Sequence, residues 1–182
     1  LSENNMSQKH PEYQYLDLMK EILEKGDKQV DKGTGVATYS LFGNQMRFDL
    51  SEGLPLLTTK KVYWKGVLQE LYWFMSGNTN VSYLTRQGVH IWDDYPYKIY
   101  NEKVEKGELP AMTKEEFVEK LKADDAFAEV HGNLPHIYGE HWRKWQTKEG
   151  RTIDQLSWAV EELWKDPDAH NTLVTSWNPE YL

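Results

Sequence analysis

The stretch Val62-Tyr63-Trp64-Lys65-Gly66-Val67-Leu68-Gln69-Glu70-Leu71-Tyr72-Trp73-Phe74-Met75 constrains the fold of this chain more than any other. Apolar residues recur in it at helical spacing on nearly every face, the pattern of a helix enclosed by other elements. Into that helix the sequence puts a carboxylate, Glu70. Burying a charged carboxylate is costly unless it is paired, hydrogen-bonded or neutralised. Desolvation also raises a carboxyl pKa toward neutrality, where proton transfer is most efficient. Two readings follow: Glu70 is kept for proton transfer, or it lies on a narrow solvated stripe beside Lys65 and Gln69. Structural ion pairs perturb carboxylates as well, so the pattern alone leaves both open.

A length of 182 residues suits one domain with a sizeable core. Eight Trp, with aromatics at 13%, supply surface to bury and argue against disorder. The net charge of −8 disfavours a basic face for nucleic acid, though a small anionic ligand needs only a local positive site. There is no run of eighteen apolar residues, and Leu1 to His10 is polar. Neither a membrane span nor a signal sequence is expected, and a cytoplasmic location is. Cysteine is absent, which excludes disulfides, thiolate metal sites and a cysteine nucleophile within these residues. The six histidines lack ligand spacing, so no metal is expected; Asp93 and Asp94 read as solvated or helix-capping acids.

Along the chain, residues 1–12 read as a polar, disordered tail. Tyr15, Leu18, Met19, Ile22 and Leu23 mark an amphipathic helix that stops near Gly26. A loop is expected over 26–35, then a strand from Thr38 to Leu50 with a bend at Gly43. The apolar helix should run from about Lys60 to Ser76 and end at Gly77-Asn78; Asn80 can cap a further helix, Val81 to Gln87, ended by Gly88. Residues 97–132 turn rich in Lys and Glu and read as a small peripheral subdomain, where Thr113 and Glu116 have capping-box spacing and Phe117, Leu121 and Phe127 can dock a helix. A last helix is expected over Ile153–Lys165, ended by Pro167, and a buried strand over Thr172–Trp177.

Six motifs stand in order along the chain: Ser40-Leu41-Phe42-Gly43-Asn44-Gln45-Met46-Arg47-Phe48-Asp49-Leu50, Gly53-Leu54-Pro55-Leu56-Leu57-Thr58-Thr59-Lys60-Lys61, Ser76-Gly77-Asn78-Thr79-Asn80, Ile91-Trp92-Asp93-Asp94-Tyr95, Ile137-Tyr138-Gly139-Glu140-His141-Trp142-Arg143, and Asp166-Pro167-Asp168 with Ser176-Trp177-Asn178-Pro179. In order and spacing they closely resemble the N-terminal part of thymidylate synthase, from about Tyr15 onward. The resemblance implies an α+β, three-layer fold around a mixed sheet, incomplete in this chain and completed in a homodimer or by a complementing C-terminal chain. It implies methylation of dUMP to dTMP, with methylenetetrahydrofolate as co-substrate.

By the same resemblance, Glu70 organises water and shuttles protons at the pyrimidine, and Tyr138 joins the active-site hydrogen-bond network. Ile91 and Trp92 pack against the folate ring, and Lys60 meets its anionic glutamate tail. On the residues alone, Ile91 and Trp92 also fit ordinary packing, Lys60 a solvated lysine, and Tyr138 a tyrosine serving a local carbonyl.

Three positions depart from the family pattern, and all concern the nucleotide phosphate. In the loop Asp31-Lys32-Gly33-Thr34-Gly35, the position of a family arginine falls on Gly33, so Lys32 replaces it only if the loop holds an extra residue. A lysine also lacks the bidentate geometry of arginine. Ala169-His170-Asn171 stands where the family has Ser-Arg-Arg, the pair that reaches across the dimer to the neighbour's phosphate. His170 is mostly neutral at pH 7 and Asn171 always is. Each charge-assisted bond contributes on the order of 1.5–3 kcal/mol, so losing three weakens nucleotide binding by several orders of magnitude.

The family's cysteine nucleophile follows its Trp-Asn-Pro motif, beyond Leu182 here. The expectation is therefore a chain that supplies the folate wall and the glutamate relay but not the thiolate. Two alternatives stand beside it: a pyrimidine nucleotide hydroxymethylase, and a non-catalytic truncated homologue acting through protein contacts. Without the missing strands, apolar faces around Trp73, Trp158 and Trp164 should be exposed and invite association.

Overall fold

The computed structural model describes residues 9–180. The chain divides into two compact units, residues 1–62 and 63–182, a boundary the sequence does not announce. Both helices and strands occur, in keeping with the α+β class; the sheets among the described residues are two antiparallel pairs.

In the first unit, α1 (Tyr13–Lys25) ends on Gly26, as its amphipathic pattern predicts. The expected loop over 26–35 is instead half of a hairpin: β1 (Asp27–Val30) pairs antiparallel with β2 (Ala37–Ser40). Asp31 builds the turn by accepting bonds at one carboxylate oxygen from the amides of Gly33 (3.0 Å) and Thr34 (2.7 Å) and the Thr34 hydroxyl (2.8 Å). Gly35 follows with φ 70°, a left-handed conformation that glycine adopts without strain. The strand expected to run to Leu50 stops at Ser40. Gly43, at φ 80°, turns the chain, and the segment beyond it pairs with a side chain rather than a strand. The Gln14 carboxamide donates to the Arg47 carbonyl (2.6 Å) and accepts from the Arg47 amide (2.9 Å).

Of the tail expected over 1–12, residues 1–8 lie outside the described residues. Lys9 pairs with Asp17 at 2.6 Å, and the Glu12 carboxylate accepts bonds from Thr58 and Thr59.

The second unit begins with α2 (Trp64–Met75), shorter by a few residues than its pattern suggests. It is not enclosed all round: Trp73 and Phe74 are buried, but Trp64, Val67, Leu71, Tyr72 and Met75 are exposed. α3 (Ser82–Arg86) follows, with the Asn80 side chain accepting from the Ser82 amide at 3.0 Å. Then come α4 (Asp94–Glu105), α5 (Lys114–Ala123), α6 (Asp125–His131) and α7 (Tyr138–Lys144), a short β3–β4 hairpin (Trp145–Gln146 and Thr152–Ile153), and α8 (Gln155–Lys165).

The Thr113–Glu116 capping box forms with both of its bonds. Phe117 and Leu121 of α5 and Tyr100 of α4 join Trp73, Phe74, Val81, Leu84, Val89, Ala128 and Leu134 in one apolar cluster. The Lys- and Glu-rich segment thus covers α3 and shares the core of the unit. Trp73, expected on an exposed face, is 1% exposed in that cluster, whereas Trp164 at 88% is open.

Residues Thr172–Trp177 do not form the expected strand; they run without a ladder partner among the described residues. Here too a glutamine substitutes. Gln155 donates to the Thr175 carbonyl (2.9 Å) and accepts from its amide (3.1 Å).

Candidate active site

Glu70 lies one turn before Trp73 and Phe74, so α2 presents the carboxylate beside the aromatic end of the cluster. Glu70 is half-buried rather than enclosed. Its Oε1 accepts the indole N–H of Trp92 at 2.6 Å, a short, charge-assisted bond. Trp92 is then packed edge-on against Trp73, with centroids 5.6 Å apart, and against Phe74 at 5.9 Å. These contacts hold the Trp92 ring from three sides: two aromatic neighbours and the Glu70 carboxylate.

Tyr138 opens α7, and its ring lies 5.1 Å from Phe74 and 6.4 Å from Trp92. The approach of α7 to α2 depends on Gly139, where a Cβ would fall 2.9 Å from the Phe74 carbonyl oxygen. Between these rings opens a cavity of about 300 Å³, lined by Trp92, Tyr95, His136, Ile137, Tyr138, His141, Ser176 and Trp177. Glu70 is not among its lining residues; it reaches that space through Trp92.

The structure thus brings Glu70, Trp92 and Tyr138 together. Ile91 adjoins Trp92 in sequence but its side chain is exposed and does not line the cavity. Lys32, in the β1–β2 turn, and Lys60 belong to the first unit and are exposed. His170 and Asn171 follow α8 and are exposed too. Their side chains, with those of Lys32 and Lys60, make no hydrogen bond or ion pair among the described residues.

Asp93, expected as a solvated or capping acid, is not solvated: it stands at the N-cap position of α4, but its side chain makes no cap bond there. It is 2% exposed, accepts from the Thr85 hydroxyl (3.1 Å), and pairs with His90 Nδ1 (2.7 Å). Asp94 is exposed and pairs with Lys114. Tyr95 and Trp177 were not assigned to the site from sequence although both stand in the quoted motifs; an aromatic in a motif carries no mark of the cavity it will line. A larger cavity, of about 350 Å³, lies in the first unit between His10–Glu12 and Phe48–Thr58 and contains none of the expected site residues. Among the described residues no cluster of His, Asp and Glu could hold a metal, and no helix is long and apolar enough to cross a membrane.

The thymidylate synthase family model matches residues 13–182. The chain is 44% identical over 171 residues to the thymidylate synthase of Rhizobium rhizogenes, covering 93% of this chain and 54% of that protein. It is 46% identical over 168 residues to the thymidylate synthase of Zymomonas mobilis, covering 92% and 55%. With that of Rhodopseudomonas palustris it shares 43% over 175 residues, covering 96% and 57%. The chain spans about half the length of the curated relatives it matches.

Proposed function

Because this chain belongs to the thymidylate synthase family, we propose that it serves the methylation of dUMP to dTMP with methylenetetrahydrofolate, supplying the folate wall and the glutamate proton relay. The observation that carries this reading is the 2.6 Å bond from Trp92 to Glu70, which joins the relay carboxylate to an aromatic-walled cavity. Those walls suit a flat heteroaromatic ring: Trp92, Tyr95 and Tyr138 offer ring faces and edges around about 300 Å³. Trp92 would hold the pterin within that cavity, Ile91 would meet it from outside the lining, and Lys60 would hold the anionic tail. Methylenetetrahydrofolate supplies the one-carbon unit and the hydride.

Trp92 donates to Glu70 Oε1 and leaves the carboxylate further lone pairs, at which a proton would be taken up or released through water. Tyr138 adds a phenolic donor beside the same rings. The thiolate must come from outside these 182 residues, which contain no cysteine. The three-layer arrangement, the mixed sheet and the homodimer belong to the same proposal, as does a cytoplasmic setting. Exposed Lys32, His170 and Asn171 would face the nucleotide phosphate with less positive charge than arginines.

The test is tritium release from 5-labelled dUMP by the protein assembled with its cysteine-bearing segment. Turnover that falls about 10²–10⁴-fold in Glu70→Gln is expected. Undiminished turnover in that variant, or turnover by these 182 residues alone, would refute the assignment. A second reading, a non-catalytic relative, is favoured by the neutral Asn171; calorimetry that detects no dUMP binding in the folded assembly would establish it.

A further inference from the structure

We propose that Thr85, His90 and Asp93 are positioning residues that hold the Trp92 wall and, through it, the Glu70 carboxylate; the proposal rests on the functional reading above. Asp93 carries the argument. A carboxylate 2% exposed must be given donors or it destabilises the fold.

Two donors are supplied from separate elements. The Thr85 hydroxyl, on α3, lies 3.1 Å from Oδ1, and His90 Nδ1 lies 2.7 Å from Oδ2. A carboxylate only accepts, so the hydrogen of the His90 ring sits on Nδ1. The Thr85 hydroxyl also lies 3.0 Å from the Val81 carbonyl, but it has one hydrogen, and the charged oxygen is the stronger acceptor. Asp93 further stands at the entry to the twelve-residue helix α4, whose first-turn peptide dipoles favour negative charge.

The consequence is geometric. Thr85, His90 and Asp93 tie α3, the following turn and the head of α4 to one buried point, and Trp92 is the residue before that point. Its backbone is held by the cluster, its ring by Trp73 and Phe74, and its indole N–H by Glu70. Neither His90 nor Asp93 lines the cavity, so neither touches a ligand there. Loosening the cluster releases the turn, and the bond to Glu70 Oε1 is the contact that registers it.

The experiment is an NMR spectrum of the full chain labelled with ¹⁵N, in which eight tryptophans give eight indole cross-peaks. Trp92→Phe identifies the Trp92 peak by its loss. That peak is expected downfield, because its N–H is bound to a carboxylate, and Glu70→Gln moves it upfield. His90→Ala and Thr85→Val each move it the same way while the other seven peaks keep their positions. His90→Gln, which restores an N–H donor, returns most of the shift. A Trp92 peak that stays in place in both His90→Ala and Thr85→Val overturns the proposal. So does a general loss of dispersion in both without rescue by His90→Gln, which assigns a merely structural role. No nucleotide or folate is present, so this outcome is independent of tritium release, which alone tests the functional reading.

Discussion

Phe117→Ala should unfold far more than the Lys- and Glu-rich segment that contains it. The Phe117 ring is fully buried, with centroids 5.5 Å from Tyr97, 5.3 Å from Tyr100 and 5.5 Å from Phe127. Truncating a buried phenylalanine costs about 3–5 kcal/mol, the lost transfer energy plus the cavity left behind. That is a large part of the roughly 5–15 kcal/mol that holds a domain together. At a urea dependence of about 2 kcal/mol per molar, the midpoint falls by about 2 M.

The chain supplies its own reporter. All eight tryptophans lie outside residues 97–132, so their fluorescence follows the rest of the protein. A tryptophan-monitored midpoint that drops by about 2 M means that the segment and the Trp73–Phe74 cluster unfold together. An unmoved midpoint, with helix loss still visible by circular dichroism, would refute a shared core and restore the independent subdomain that composition suggests.

Two further outcomes follow from the geometry. Hydrogen bonds from Thr58, and more weakly from Thr59, hold the Glu12 carboxyl below its ordinary value of 4.5. A depressed folded-state pKa stabilises the fold above 4.5, and this contribution disappears as pH falls through the lower folded value. The Thr58 amide should therefore titrate by NMR with a midpoint below 4.5, and Glu12→Gln should abolish that inflection; a midpoint at or above 4.5 contradicts the bonding. Gly139→Ala should force α7 away from the Phe74 carbonyl at a cost of about 1–3 kcal/mol, read as a lower thermal midpoint, since its Cβ would stand 2.9 Å from that oxygen. An unchanged midpoint would show that α7 yields freely.

Local signals were legible where the physics is local. The amphipathic spacing of α1, the Thr113–Glu116 capping box and the glycines after α2 and α3 each depend on a few neighbouring residues, and the structure shows them. Glu70 was legible as a charge among apolar residues, but its partner, Trp92, lies 22 positions away and is chosen by packing. Asp93 was misread for the same reason. Its partners are Thr85, eight positions away on α3, and His90, and nothing in the Asp-Asp pair distinguishes the residue at 2% exposure from its exposed neighbour. The 97–132 segment looked peripheral because its charges outnumber its apolar residues, yet Tyr100, Phe117 and Leu121 suffice to face one helix surface inward.

The two missing strands teach something more specific. Residues after Gly43 and residues 172–177 have strand composition, and in each unit one residue of the segment is paired as a strand residue would be, with its N–H and C=O both satisfied. The partner is a glutamine carboxamide from a helix, Gln14 for Arg47 and Gln155 for Thr175. Each carboxamide pairs with one residue of its segment and turns its second N–H elsewhere, Gln155 to the His141 carbonyl and Gln14 to that of Pro11, whereas a neighbouring strand serves every second residue along its length. The strands expected there do not form, because composition specifies a strand's face but not its ladder partner. Backbone left unpaired beside such a contact is a template for a further strand.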